Sequence, residues 1–463
     1  MILKNNPLFW SVLANLLRFG YSLILMPIVL IFFQPEEVTL WLSFIMLASA
    51  IPIFDMGIAH TLKRTSAYVY AGAKSFNKKD IPQAESDIQL NILSSLIKGS
   101  RKMYIILTFI AAFALYFFGS IYIQSISADY EKTYNAILWV IYITGFLINF
   151  YFSHMVAIMF GRGDIIDASK VNIIFGISYL VIAIVSISLG FTLVGICFSV
   201  IIASFISRFY AYKKFNQCRN IKSAVKIPIT KKQTNNFINK IKLNAFHYGL
   251  VALSVFMISR VPTLMIVYFF GREDSSNFTF TLFVFSLISV LTMLPFTISM
   301  PTMNKKTIKY GVKKIKTLFQ LSLFTVLISS LLASLILIFF GPIILKYLGS
   351  SVQLISLPYI IIIALTGILE ANHAVCANIL TVQNRVPFYK QSLATGILII
   401  IFTIFAFKYN VSIEKMVIIP FIVQLGFNNW YWPLQASSML KENYFSLLKN
   451  SFRISYRFIR TKC

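Results

Sequence analysis

At 463 residues, 58% hydrophobic and only 12% charged, the chain has too few charges to coat a water-soluble surface; soluble domains run about 45–50% apolar and about 25% charged. The net charge of +27 is large enough for a nucleic-acid binder, but its Lys and Arg sit in short blocks between apolar runs. That is the pattern of loops facing an anionic leaflet, and it argues against nucleic acid as a partner.

Lys4 precedes the first apolar run, 8–33. The run is longer than a signal-peptide core and no small-residue cleavage site follows it, so it reads as an uncleaved first helix. A helix crosses the hydrocarbon core with about 20 apolar residues. On that measure further spans fall at 39–59, 103–123, 134–160, 171–189, 192–211, 246–267, 277–300, 318–340, 355–381, 392–407 and 413–433. Only helices and closed barrels satisfy the backbone in lipid, and these runs are not ten-residue alternating segments. The expectation is an all-α integral membrane protein with about twelve transmembrane helices.

Of the 42 Lys and Arg, 34 fall in connections on one side of these spans and five on the other. The basic side is therefore cytoplasmic, with both termini on it. The connections on the outer side are short, the longest being about 341–354, and none houses a folded catalytic domain. The segment 212–243 carries nine Lys and Arg and no acid. It divides the chain into an N-terminal six-helix bundle (1–211), a basic cytoplasmic linker (212–243), a C-terminal six-helix bundle (244–433) and a basic tail (434–463). Both halves start on the same side, as in a parallel repeat. Phe32-Phe33-Gln34-Pro35-Glu36-Glu37 and Phe269-Phe270-Gly271-Arg272-Glu273-Asp274 echo one another, and Pro52 and Pro295 follow in the next span of each half.

The four cysteines, Cys197, Cys218, Cys376 and Cys463, form no Cys-x-x-Cys pair, so neither zinc nor a disulfide framework is suggested. No phosphate loop, metal spacing or nucleophile elbow is present either, so no cofactor and no enzymatic activity are expected. The stretch Gly161–Asp164, Gly-Arg-Gly-Asp, reads as a turn.

The informative residues are the polar ones inside spans, since a charge at the bilayer centre costs about 2.5–3.5 kcal/mol on insertion scales and normally faces a cavity or a partner. Ser11, Asn15, Arg18 and Ser22 lie on one helix face, so Arg18 and Asn15 line a cavity or a seam between helices. Arg260 stands two residues before Pro262; it lines a cavity or bonds the carbonyl the proline frees. Arg208, within a turn of its span's end, is expected to snorkel. Glu370 and His373, three apart on one face, either hold a proton for coupling or lock helix packing, and His154 reads as a satisfied core histidine. Asp55 closes the second span ahead of Lys63 and Arg64. That arrangement suits a helix end pinned by charge pairs, or a gating contact made by Asp55 and Arg64.

The second-span ending, an apolar residue, then Asp55-x-Gly57, then Arg64, resembles that of bacterial O-antigen and polysaccharide-unit flippases of the Wzx type. These belong to the superfamily that also holds multidrug exporters. Length, twelve spans, six-plus-six halves and a basic middle loop fit the same resemblance. It departs at the seventh span, where many relatives carry an acid and this chain has Arg260. The resemblance implies two six-helix bundles around a central cavity that opens alternately to each side. It further implies an undecaprenyl-diphosphate-linked oligosaccharide as substrate, a bacterial inner-membrane location, and as partners membrane lipids, a polysaccharide polymerase and a chain-length regulator. Arginine suits a diphosphate because its planar fork binds two oxygens. Arg18 and Arg260 occupy the first helix of each half, and a parallel two-fold brings them to equivalent places. The rivals are a cation-coupled multidrug exporter on the same fold, which calls for acids inside the bundle, and a polysaccharide polymerase or glycosyltransferase, which calls for a large outer loop.

Overall fold

The computed structural model describes residues 7–70, 88–383 and 387–460, and among them every regular element is a helix. In chain order these are α1 (Pro7–Phe32), α2 (Pro35–Ala48), α3 (Ile51–Asp55), α4 (Ile58–Tyr70), α5 (Leu90–Ser125), α6 (Lys132–Arg162), α7 (Ile165–Ser188), α8 (Thr192–Gln217), α9 (Arg219–Lys226) and α10 (Lys231–Ser259). They continue as α11 (Val261–Phe270), α12 (Ser276–Thr292), α13 (Leu294–Tyr310), α14 (Lys316–Tyr347), α15 (Leu357–Ile379), α16 (Tyr389–Lys408), α17 (Ile418–Gly426), α18 (Asn428–Leu440) and α19 (Tyr444–Arg460). Among the described residues, eleven stretches are long and apolar enough to cross a membrane. The chain is an all-α, multi-pass integral membrane protein.

The twelfth expected span, 413–433, is not one continuous helix. It runs as a short 3-10 turn, then α17, then α18, with Phe427 between them at φ −146° and ψ −59°. Its sequence explains the interruption: Gly426 and the pair Asn428-Asn429 are weak helix formers, and Pro433 has no N–H to bond back to Asn429. Three other spans are interrupted at a proline. Pro52, Pro262 and Pro295 each sit in the first turn of the helix that follows a break, in α3, α11 and α13. A missing N–H does no harm there, because the first-turn donors have no intrahelical partner anyway.

By contacts the residues form two compact units, one of 1–28 with 43–253 and one of 29–42 with 254–463. In the first, helices approach through small residues. A methyl group on Gly145 of α6 would come within 2.7 Å of Val200 on α8, and one on Gly119 of α5 within 2.5 Å of the Trp139 ring on α6. Such approaches suit helices whose association rests on close packing rather than on exclusion of water. The Trp139 indole also donates to the Leu115 carbonyl at 2.9 Å. In the second unit, one apolar cluster gathers Phe319, Val375, Trp432 and Leu447, and another gathers Ile266, Phe278, Ile360 and Val417. Large apolar side chains also face outward along the spans, among them Phe109 (73% exposed), Phe113 and Phe339. In water such a surface would drive association; in a bilayer it is solvated by acyl chains.

Candidate functional site

In the first unit the site is built on the Asp-x-Gly break between α3 and α4. Met56 and Gly57 both take positive φ, 49° and 68°, which turns the chain between the two short helices. Gly57 is required twice over: a side chain there is strained at that φ, and its Cβ would meet the Tyr248 Cβ at 2.6 Å. The turn aims the first N–H groups of α4 back at Asp55, whose Oδ2 accepts from the Ala59 N–H at 3.3 Å. A carboxylate at a helix N-terminus is stabilised by the helix dipole as well as by that bond. The other oxygen, Oδ1, accepts from the Tyr104 hydroxyl of α5 at 2.5 Å. Asp55 therefore ties α3, α4 and α5 together at one point.

Tyr104 is fully buried, and its ring lies 5.6 Å from that of His154 on α6. His154 is also buried, with Nδ1 donating to the Tyr151 carbonyl at 2.6 Å, a core histidine with its donor satisfied. Arg208 departs from the sequence expectation. It is 9% exposed, and its Nε donates to Asn149 Oδ1 at 2.5 Å instead of reaching along the helix to water. Asn149 in turn donates to Ser204 Oγ at 2.7 Å. A neutral amide facing it across α6 and α8 makes burial cheaper for the arginine than its nearness to the span end suggests.

In the second unit Arg260 occupies the break between α10 and α11, at φ −120° and ψ −45°, as the residue capping the start of α11. Its backbone stays in register, the N–H bonding Phe256 O and the carbonyl accepting from Leu264. The half-buried side chain has no hydrogen bond or ion pair among the described residues, so it does not take the carbonyl that Pro262 frees. A guanidinium beside the positive end of a helix dipole is doubly suited to an anion.

Glu370 and His373 lie on α15, and each has a partner of its own on the broken last span. The Glu370 carboxyl is hydrogen-bonded by the Gln424 side chain of α17, which is itself 3% exposed. His373 Nδ1 donates to Asn429 Oδ1 of α18 at 2.8 Å. The two ionisable groups thus hold the two sides of the Phe427 break. Asn428 reinforces it, donating to Thr395 Oγ1 at 3.0 Å and accepting from Trp432 at 3.1 Å.

Of the remaining residues singled out in the sequence, Asn15 donates to the Ser11 carbonyl of its own helix at 2.9 Å. Arg64 is exposed on α4. Arg18 belongs to α1, and its side chain lies outside the described residues. Sequence reasoning did not find Tyr104, Asn149, Gln424 or Asn429. Each is an ordinary span residue whose role depends on a partner 49 to 59 positions away. Among the described residues no cluster of three metal-ligating side chains occurs.

No protein-family model matches the chain, and no curated relative does. Solved structures do. An inward-facing multidrug-resistance transporter of the MATE family in the MOP superfamily aligns at 13% identity over 95% of this chain and 99% of its own, with a TM-score of 0.64. The lipid II flippase MurJ, in an inward closed conformation, aligns at 13% identity over 100% of this chain and 93% of its own, TM-score 0.62. A MOP-superfamily transporter from Pyrococcus furiosus, whose binding pocket is described as having reversed polarity, aligns at 15% identity over 96% and 98%, TM-score 0.51. At such identities the likeness is one of fold: this chain has the fold of MOP-superfamily transporters along nearly its whole length.

Proposed function

We propose that the protein is a flippase that moves an undecaprenyl-diphosphate-linked oligosaccharide, an O-antigen unit, from the cytoplasmic to the periplasmic leaflet of the bacterial inner membrane by alternating access, with its basic face cytoplasmic. The observation that carries this reading is Arg260: a half-buried cation at a helix start within a membrane span, with no side-chain partner among the described residues. A diphosphate supplies the missing acceptor, two oxygens to a planar fork. Arg18, singled out by its place in the first span, is likewise assigned to the substrate. The fold agrees with a flippase, since it is shared with the lipid II flippase MurJ.

The test is complementation of a flippase-deleted strain, scoring surface polysaccharide against the amount of protein in the membrane. Arg260→Ala should lose most of the polysaccharide at an unchanged protein level. Arg260→Lys, which keeps the charge and loses the fork, should fall between. Normal polysaccharide with both Arg18 and Arg260 changed to Ala sinks the proposal, and so does a loss that only tracks reduced protein. One observation favours a second reading, a cation-coupled multidrug exporter: Glu370 is a carboxyl inside a span, of the kind a cationic cargo or a coupling ion requires.

A further inference from the structure

The last helix, α19, differs from the spans in composition. It carries Lys449, Arg453, Arg457 and Arg460 and no acid. One of its faces is docked on the second unit. Leu447 and Ser451 are buried, and Leu447 joins the cluster around Phe319 and Val375. The Tyr444 hydroxyl donates to Asn372 Oδ1 of α15 at 2.5 Å, which bonds α19 to the span that carries Glu370 and His373. Another face is bare. Phe445 is 81% exposed and Phe452 49%, and Lys449 and Arg453 are exposed as well. At 3.6 residues per turn these four positions lie within about 100° of arc, the two rings at one edge and the two cations at the other.

The depth of this face follows from its contacts with α14. That helix has 32 residues, about 48 Å at 1.5 Å per residue, against a hydrocarbon core of about 30 Å. Centred in the bilayer, it projects about 9 Å beyond the core at each end. Gln320 then lies just outside the boundary and Phe324 just inside it. Gln320 donates to Glu442, two residues ahead of α19, at 3.4 Å, and the Phe452 ring packs edge-on against that of Phe324 at 5.0 Å. From one contact to the other the partner on α14 advances by only four residues, about 6 Å. The first half of α19 therefore stays at the boundary between acyl chains and headgroups. Glu442, the nearest acid in the chain, is turned to Lys316 at 2.9 Å and Asn450 at 2.7 Å.

We infer that α19 is an interfacial helix that binds anionic phospholipid, with Phe445 and Phe452 against the acyl chains and Lys449 and Arg453 on the headgroup phosphates. Rings beside cations on a helix at this depth are the chemistry of that boundary. Each cation near an anionic surface contributes about 1 kcal/mol. An acidic protein would match the cations, but at this depth it would have to displace headgroups to reach the rings.

The experiment places a reporter on the bare face. Phe445→Trp in the full-length protein is reconstituted in vesicles of phosphatidylcholine and phosphatidylglycerol at about 7:3. The acyl chains of one lipid or the other are brominated. Fluorescence quenching is read as the difference from the unchanged protein, which has five tryptophans of its own. Both lipids should quench, and phosphatidylglycerol about fivefold more per brominated molecule, the fold-change that about 1 kcal/mol gives. Lys449→Gln together with Arg453→Gln should bring that ratio to about one, as should about 1 M salt. Quenching by phosphatidylcholine should persist in the double variant, which shows that α19 is still folded and docked. Quenching by neither lipid overturns the inference, because the face is then in water or covered by protein. A ratio of one in the parent, or a raised ratio that survives loss of both cations, overturns it equally. The readout involves no transport, so it stands or falls apart from the flippase reading.

Discussion

Replacing Tyr104 by Phe removes one hydroxyl and almost no volume, and a cycle with Asp55 separates its bond to Asp55 from its bond with Ser153. In the structure that hydroxyl donates to Asp55 Oδ1 at 2.5 Å from a fully buried ring. A hydrogen bond to a charged group contributes about 1.5–3 kcal/mol. The remaining bond to Asp55, from the Ala59 N–H at 3.3 Å, is a helix cap of about 0.5–2 kcal/mol and survives the change. The assay is a double-mutant cycle of Tyr104→Phe with Asp55→Asn, each variant unfolded in detergent. The expected coupling is about 1.5–3 kcal/mol, and the Asp55 change alone should cost more than the Tyr104 change alone because it weakens both bonds. Coupling below about 0.5 kcal/mol would refute the reasoning, because Asp55 would then draw its stabilisation from charges on α4 and not from α5. The same variants separate anchoring from gating. If Tyr104→Phe lowers transport only in proportion to folded protein, the link is an anchor. If transport per folded molecule falls as well, the link takes part in the cycle.

Three further expectations come from the same geometry. Glu442 accepts from Lys316 at 2.9 Å and from Asn450 at 2.7 Å. Burial pushes its carboxyl up, but these bonds and one from Ser446 outweigh that and hold it below its ordinary value of 4.5. Its contribution to stability is therefore complete above that value and is lost as pH falls through the lowered one. The unfolding midpoint should decline there, and Glu442→Gln should flatten the decline. Arg208→Ala should cost about 1.5–3 kcal/mol, the worth of a charge-assisted bond to Asn149; a midpoint shift near zero would mean that the side chain snorkels after all. Glu370→Gln keeps a hydrogen-bonding partner for Gln424, so heat stability should hold while any transport driven by a pH gradient falls. Transport in vesicles that ignores the gradient in the unchanged protein excludes that role.

Much of this architecture is legible in the sequence because lipid imposes a length and a composition on every span. The prolines at 52, 262 and 295 mark breaks for a local reason, and Asp55-x-Gly57 marks a helix end for another. The interruption at Phe427 is different. It depends on Asn428 and Asn429 reaching Thr395, Trp432 and His373, contacts that no window of hydropathy contains. Glu370 and His373 show how spacing can mislead. Three residues apart, they are neighbours on α15, yet each bonds a side chain on a different half of the last span. Arg208 shows the same effect in depth: its distance from the span end suggested water, and Asn149 supplied the acceptor instead.

Of the charged span residues described above, Arg260 differs from the others in having no side-chain partner among the described residues. Asp55 has Tyr104, Arg208 has Asn149 and Glu370 has Gln424; such groups are part of the fold, and removing them should first lower the amount of folded protein. Arg260 holds its helix break through the backbone alone, so its side chain adds little to folding and can be given to a cargo. That difference makes the two arginines informative together. Arg208→Ala should reduce stability and transport in step, whereas Arg260→Ala should leave stability near its starting point and reduce transport per molecule. The sign of the cargo follows from the same contrast. On the flippase proposal the cargo is an anion, because Arg260 is a half-buried guanidinium with no side-chain partner among the described residues, whereas the Asp55 and Glu370 carboxyls each have one.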